Sequence, residues 1–383
     1  MNDPIARPGA TGTPRPVGRG VRGGEGALGA IATWLLVVAA LVFVMIVLGG
    51  ITRLTESGLS MVEWRPVTGW LPPLSHEGWE KAFAAYKAFP EYQKINFGMS
   101  LADFQTIYWF EYSHRLLGRL IGIAFALPFI YFLVRRAVPG WLVPRLVGLF
   151  VLGGLQGAVG WFMVQSGLVD RPDVSQYRLA MHLGLAFLIF AGLFWTALNC
   201  LHIRAVGGKG GAAAPPGRDR RGARLAGLFL LLVFVQILAG ALVAGINAGM
   251  TYNTWPLMDG RLIPNGLDLL SPGWLNLFEN VTTVQFQHRV IGYLVLAMAL
   301  LLWWQARGGS GARSAALVLA SVVLQVLIGI VTLLLVVPVP VAAIHQAGAV
   351  VVTGLGLWHL FGRIHPMPAS ATTGAPAEAA ARA

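Results

Sequence analysis

The sequence is poor in charged residues and almost devoid of cysteine. Only 11% of its 383 residues are charged, whereas 56% are hydrophobic. A chain of this composition has too little polar surface to coat a soluble globule, so the composition indicates a polytopic membrane protein. The single cysteine, Cys200, excludes an intramolecular disulfide, a thiolate metal cluster and a redox pair of cysteines.

The net charge of +12 would suggest a nucleic-acid partner in a soluble protein. In a membrane protein the distribution of Lys and Arg over the connecting loops matters more than the total, because cytoplasmic loops carry the excess. Most of the basic residues lie in the two tails and in the loops on the same side as those tails. We therefore predict a multi-pass protein of the cell inner membrane with both termini cytoplasmic and no nucleic-acid partner.

Eight apolar windows are long enough to cross a lipid bilayer. They cover residues 28–50, 108–134, 142–164, 178–200, 225–246, 284–304, 313–336 and 340–361. The predicted fold is an all-α polytopic membrane protein with eight transmembrane helices. Residues 1–27 and 362–383 lack apolar periodicity and are predicted to be disordered cytoplasmic tails.

The chain also repeats itself, which is a strong indication of its architecture. Residues 42–64 align without a gap on residues 233–255, pairing Gly49 with Gly240. Further matched pairs are Gly58 and Gly249, Trp64 and Trp255, Gln156 and Gln325, Gly160 and Gly329, Ala180 and Ala343, His182 and His345, and Trp195 and Trp358. The repeat predicts two tandem, pseudo-symmetric four-helix bundles with the same orientation in the membrane.

The two predicted halves are joined by a short linker. The N-terminal half covers residues 28–200 and contains a long outer loop at 51–107. The C-terminal half covers residues 225–361. The linker, residues 201–224, is basic, rich in Gly and Pro, and predicted to be cytoplasmic.

Four histidines fall within the predicted spans, where ionisable side chains are costly and usually functional. All lie near the outer ends of even-numbered spans, in two matched pairs: His114 and His182, His288 and His345. One imidazole on each of two facing helices suits the two axial positions of a haem iron. Zinc usually takes three or four protein ligands, and no Cys or Asp accompanies either pair. Interfacial histidines bonded to carbonyls or water, or one four-histidine site between the halves, are the alternatives that the spacing leaves open. The other histidines are interpreted as structural: His76, His202, His359 and His365.

The two halves differ in charge around the first histidine of each pair. Glu111 in "EYSHRLLGRLIG" aligns with Gln285 in "QFQHRVIGYLVL", and Arg119 aligns with Tyr293. Glu111 precedes His114 by one helical turn, so the carboxyl group lies on the same helix face. A carboxylate beside a haem edge would suit proton transfer or stabilisation of a developing cation. The alternative is a glutamate at the start of a helix, in water, at the positive end of the helix dipole.

An arginine follows the first histidine of each pair. The guanidinium groups of Arg115 and Arg289 match the geometry of haem propionates, but they would equally reach lipid phosphates. In the long outer loop, Trp79, Phe83 and Tyr86 recur at helical spacing. This pattern predicts an interfacial amphipathic helix that covers the N-terminal site.

Several stretches resemble the haem A synthase family, in its mitochondrial and alphaproteobacterial branch. They are "GGITRLTESGLSMVEWRPVTGWLPP", "EYSHRLLGRLIG", "NAGMTYNTWPLMDG", "QFQHRVIGY" and "IHQAG". The resemblance covers nearly the whole chain except the tails and the linker. It implies a membrane oxidoreductase that oxidises a methyl substituent of haem O to a formyl group, giving haem A for terminal cytochrome oxidase.

The resemblance also implies roles for individual residues. His288 and His345 would be the axial ligands of a cofactor haem b and its iron, near the outer face of the membrane. His114 and His182 would be the axial ligands of the substrate haem, beside a catalytic Glu111. The implied partners are haem O, haem O synthase, cytochrome oxidase assembly factors, the lipid bilayer and further copies of the same chain. From the residues alone, a di-haem electron-transfer cytochrome and a haem carrier or exporter stay open as alternative functions.

Overall fold

The structure is a computed structural model that describes residues 21–63, 69–165, 174–207 and 219–365. Residues 1–20, 208–218 and 366–383 of the predicted tails and linker lie outside the described residues, as does Trp64 of the repeat. The described residues 21–27, 201–207 and 220–224 are helical, so these parts of the predicted tail and linker belong to helices instead. Within the described ranges the chain contains eleven α-helices and no β-strand, only one isolated bridge between Met258 and Arg261.

The helices account for most of the described chain. They are α1 (Val21–Leu54), α2 (His76–Lys87), α3 (Pro90–Lys94), α4 (Leu101–Val134), α5 (Val143–Gln165), α6 (Gln176–Gly207), α7 (Arg220–Gly245), α8 (Asn276–Glu279), α9 (Val281–Ala306), α10 (Ala312–Leu334) and α11 (Val339–Ile364). Two short 3-10 helices cover Ala248–Met250 and Gly273–Leu275. Eight helices are long and apolar enough to cross a membrane, namely α1, α4, α5, α6, α7, α9, α10 and α11. The predicted all-α membrane protein with eight spanning helices is therefore confirmed.

Three predicted boundaries differ from the structure by seven residues: α1 begins at Val21 rather than at 28, α6 ends at Gly207 rather than at 200, and α4 begins at Leu101 rather than at 108. Ser100 and Asp103 form a capping box there: the Ser100 hydroxyl accepts the Asp103 N–H at 3.2 Å, and the Asp103 carboxylate accepts the Ser100 N–H at 3.4 Å. Hydropathy cannot show this start, because the first turns of α4 alternate apolar with polar residues. The capped turns extend α4 beyond the apolar window and give the outer loop a surface to pack on.

The predicted amphipathic helix of the outer loop is α2, which Ser75 caps by accepting the Gly78 N–H at 3.1 Å. Its buried residues Phe83 and Tyr86 pack on Phe104 in the first turn of α4. Tyr108 and Tyr112 extend the same aromatic cluster inward along α4. Met61 and Val62, from the segment that follows α1, pack against this cluster.

The spanning helices contact one another in the same order in both halves of the chain. Helix α1 packs on α4 and α6, just as α7 packs on α9 and α11. The halves meet where α6 contacts α7 and α11, and where α1 contacts α11. These contacts support the predicted division into two pseudo-symmetric bundles, which stays a prediction.

Candidate functional site

The first histidine of each predicted pair lies against a glycine of the helix that opens its half. A Cβ built on Gly49 of α1 would lie 3.0 Å from Cε1 of His114 on α4. A Cβ built on Gly240 of α7 would lie 3.2 Å from Cε1 of His288 on α9. Gly49 and Gly240 are matched by the sequence repeat. Each of them leaves the space in which the imidazole ring sits.

The second histidine of each pair repeats this arrangement with the third spanning helix of its half. A Cβ on Gly160 of α5 would lie 3.0 Å from Cε1 of His182 on α6, and one on Gly329 of α10 would lie 2.8 Å from Cε1 of His345 on α11. Real Cβ atoms essentially never approach closer than 3.0 Å, so a side chain at Gly329 would displace the ring of His345, and one at Gly160 would require the ring of His182 to move by a few tenths of an ångström. The matched glycines of the repeat thus mark the places where the four imidazoles pack.

A matched pair of glutamines holds the helices that carry the second histidines. Gln156 of α5 donates its Nε2–H to the carbonyl oxygen of His182 at 3.1 Å, and Gln325 of α10 donates to that of His345 at 2.8 Å. The Oε1 atoms of both glutamines and the Nδ1 atoms of both histidines are buried without a hydrogen-bond partner. Buried polar atoms are usually satisfied, so these groups indicate that a ligand belongs here.

A further glutamine, which the sequence reasoning missed, contacts only the C-terminal pair. The Nε2 atom of Gln236 on α7 lies 3.2 Å from both ring nitrogens of His288 and 3.1 Å from its carbonyl oxygen. The repeat places Met45 at the equivalent position of α1, where its terminal methyl group lies close to Gly118. The signal that could have revealed Gln236 is an amide within an otherwise apolar run. His288 therefore has a polar neighbour on α7, at a position where the repeat places the apolar Met45 on α1.

The four histidines form two separate pairs. The imidazoles of His114 and His182 are close enough to interact electrostatically, as are those of His288 and His345. In the ranges that the structure describes, which include all four, no three His, Cys, Asp or Glu side chains gather into a group that could hold a metal ion. The single four-histidine site is thus not found. Two imidazoles with glycine behind each ring fit the two axial positions of a haem iron.

Glu111 is buried, with a side chain that is only 3% exposed. Its Oε2 atom accepts the Ser60 hydroxyl at 2.7 Å and the Met61 N–H at 2.6 Å, while Oε1 pairs with the Arg115 guanidinium. Because α4 begins at Leu101, Glu111 lies well inside the helix. The alternative of a solvated glutamate at a helix start is therefore wrong.

Arg115 completes the attachment of the segment that follows α1. Its NH1 and NH2 atoms donate to the carbonyl oxygens of Glu63 at 2.9 Å and Met61 at 2.8 Å. Glu111 and Arg115 together therefore bind residues 60–63 to α4. These bonds occupy part of the guanidinium group. The predicted contact between Arg115 and a haem propionate stays a prediction.

The C-terminal half attaches its loop in the same manner, with a carboxamide in place of the carboxylate. Gln285 donates its Nε2–H to the Ala248 carbonyl oxygen at 2.9 Å and accepts an Arg289 N–H at 3.3 Å. Arg289 donates to the carbonyl oxygens of Tyr252 at 2.7 Å and Thr254 at 3.0 Å. The two sites thus share one framework, in which a buried carboxylate replaces a carboxamide only in the N-terminal half.

Comparison with known proteins identifies the family. Residues 32–356 match the family COX15-CtaA, which is described as cytochrome oxidase assembly protein. The chain belongs to this family. The matched region includes all eight spanning helices in whole or in part, and all four histidines of the two pairs.

Similar curated proteins of this family carry the name Heme A synthase. The protein from Parvibaculum lavamentivorans is 55% identical over 331 residues, which cover 86% of this chain and 93% of that protein. The protein from Rhodospirillum centenum is 53% identical, covering 86% of this chain and 87% of its own length. The protein from Nitrosospira multiformis is 50% identical, with coverages of 86% and 92%. The resemblance to the haem A synthase family is therefore confirmed.

Elsewhere in this COX15-CtaA protein, the contacts of His359 support the structural role that the sequence analysis predicted for it. Its side chain is buried and its Nδ1 atom lies 2.8 Å from the Ser314 hydroxyl. Close by, Arg363 forms an ion pair with Asp219 at 2.7 Å and donates to Gln305. These contacts connect the C-terminal ends of α9 and α11 with the N-terminal ends of α7 and α10.

Proposed function

We propose that this protein is a haem A synthase, a membrane enzyme that oxidises a methyl substituent of haem O to the formyl group of haem A for cytochrome oxidase. One observation carries the proposal: two histidine pairs are built alike, and only one of them has a buried carboxylate one helical turn away. The names of the relatives support the same reaction. The duplicated framework provides two haem sites, and the difference between them assigns one to the substrate.

The C-terminal pair holds a cofactor haem b through His288 and His345. The residues fit this group, because glycines leave space behind both rings and the place of the carboxylate is taken by the neutral Gln285. A haem bound there supplies one-electron redox chemistry. The protein's part is to orient the two imidazoles through their glycine contacts and through the Gln325 bond to the His345 backbone.

The N-terminal pair holds the iron of the substrate haem O through His114 and His182. Glu111 lies on the same face of α4 as His114, and its position is fixed by Ser60, Met61 and Arg115. A fixed negative charge next to the substrate stabilises positive charge that develops while the methyl carbon is oxidised. It can also accept a proton that the reaction releases. Arg115 keeps the carboxylate in place.

The experiment that tests this function is expression of the chain in cells that supply haem O, followed by mass analysis of the extracted haems. Haem A, together with hydroxylated intermediates, is the expected result. Unchanged haem O with two permanent b-type haems would support an electron-transfer cytochrome instead. Haem that is bound and released unchanged would support a carrier or exporter.

The surroundings of the enzyme follow from the same proposal. Both termini lie in the cytoplasm and the haem sites lie near the outer face of the inner membrane. Haem O synthase supplies the substrate, and cytochrome oxidase assembly factors receive the product. Self-association of the chain is proposed as well.

A further inference from the structure

Gln346 follows the predicted ligand His345 and contacts the other half of the chain. Its Nε2 atom donates a hydrogen bond of 2.7 Å to the carbonyl oxygen of Ile46 on α1. A Cβ on Gly50, one turn further along α1, would lie only 1.8 Å from the Oε1 atom of Gln346. The carboxamide therefore lies directly on the backbone of α1, at a place that only glycine leaves open.

Two adjacent glycines of α1 thus face two different sites. Gly49 lies behind the ring of His114 in the N-terminal pair, and Gly50 accommodates the side chain next to His345 in the C-terminal pair. The connection runs from His345 through the adjacent Gln346 and one hydrogen bond to α1, and from there to the contact with His114. Helix α1 therefore contributes residues to both sites.

The sequence repeat does not reproduce this connection. The repeat places Leu183 at the position of Gln346, and a leucine side chain donates no hydrogen bond. The position of Gly50 is taken by Ala241, which is buried. The link is therefore not a by-product of the duplication, since it exists on one side of the interface only.

We propose that Gln346 is a positioning residue that joins the two haem sites by holding α11 at a fixed distance and rotation against α1. The inference rests on the proposed function, in which the substrate is oxidised in the N-terminal site and the redox cofactor is bound in the C-terminal site. A ferric haem held by His288 and His345 would accept, one at a time, the electrons removed from the methyl carbon and pass them to an external electron acceptor, and each transfer would depend on the distance and orientation between the two sites. A bond that ties the helix behind His114 to the helix of His345 sets that geometry.

The test measures the effect of each substitution on the haem site in the opposite half of the chain. Gln346→Leu introduces the residue of the equivalent position, Leu183, and Gly50→Ala expels the carboxamide from the other side. Purified protein loaded with haem O would be examined by electron paramagnetic resonance, with the two low-spin signals assigned through His114→Ala and His288→Ala.

The expected result is that Gln346→Leu shifts the signal of the N-terminal haem and Gly50→Ala shifts that of the C-terminal haem. Each variant should also lose the C-terminal haem to apomyoglobin about fivefold faster, because one hydrogen bond contributes about 1 kcal/mol. The matched control is Gly122→Ala on α4, since a Cβ at Gly122 meets no atom within 4 Å. This variant should change neither signal.

Each outcome decides the inference. If Gln346→Leu alters only the C-terminal signal and Gly50→Ala only the N-terminal one, the link is overturned. The inference is supported if both variants lose the C-terminal haem faster while their helix content is unchanged, and if Gln346→Leu also shifts the signal of the N-terminal haem. General loss of helix content in both variants would assign Gln346 to stability alone and overturn it. A wild-type protein without any low-spin haem would instead refute the proposed function itself.

Discussion

The substitution Glu111→Gln separates the charge of the N-terminal site from its shape. In the structure the carboxylate accepts from Ser60 and Met61 on one oxygen and pairs with Arg115 on the other. A glutamine has one acceptor oxygen, so its NH2 group must face either Arg115 or the two donors of the loop. A lost hydrogen bond to a charged group costs about 1.5 to 3 kcal/mol, and Arg115 keeps its backbone acceptors, so we expect a loosened loop in a folded protein.

The catalytic consequence should be larger than the structural one. Loss of a positioned acid, base or charge typically reduces a rate on the order of a hundredfold or more. We therefore expect Glu111→Gln to keep its C-terminal haem and to bind haem O, yet to yield little haem A and to accumulate a hydroxylated intermediate. Mass analysis of extracted haems measures the yield, and the low-spin absorption of the C-terminal haem reports on folding.

A matched variant distinguishes charge from attachment of the loop. Ser60→Ala removes one hydrogen-bond donor to Glu111, which should cost about 1 kcal/mol of stability, but it leaves the carboxylate and its charge in place. If the charge acts in the reaction, Ser60→Ala should produce haem A at close to the wild-type level while Glu111→Gln does not. Equal losses in both variants would assign Glu111 to holding residues 60–63. A wild-type yield from Glu111→Gln would refute the catalytic role of the carboxylate.

Three further predictions concern the cofactor, the glycine contacts and the topology. Replacing either His288 or His345 by Ala should remove a low-spin b-type spectrum from the purified protein, and an unchanged spectrum in both variants would disprove the assignment. Gly329→Ala should weaken haem retention at the same site about tenfold or more, because its Cβ would lie 2.8 Å from the ring, a contact that must be relieved. Haem transfer to apomyoglobin measures this, and a wild-type rate would show that the ring does not need the space. Reporter fusions should place residue 215 in the cytoplasm and residue 90 on the outer side, and the reverse would put both haem sites at the inner face.

The sequence predicted the spanning helices and the matched glycines because both leave regular signals. A membrane helix must be apolar over about twenty residues, and a duplication preserves positions that pack on a ring. The start of α4 was missed because it depends on a cap rather than on hydropathy. Phe104, in the first turn after Ser100, becomes visible as a core residue only when α2 packs on it.

The contacts of individual polar side chains could not be predicted from the sequence for a different reason. Glu111 and Ser60 are 51 residues apart, and Gln346 and Ile46 are 300 residues apart. Only the packing of the helices reveals which backbone group or hydroxyl each side chain meets. The sequence could therefore mark Glu111 as unusual for its half, but not show that it also holds the loop after α1.

The bond between Gln346 and Ile46 also has a consequence for biosynthesis. Helix α1 precedes α11 in the chain, so if the helices are inserted in chain order the contact forms only after the intervening helices have been inserted. Until then Gly50 lacks its contact with the Gln346 carboxamide, and the helix behind His114 lacks this neighbour. The substrate site proposed for the N-terminal half therefore reaches its finished form only after α11 of the C-terminal half has been inserted.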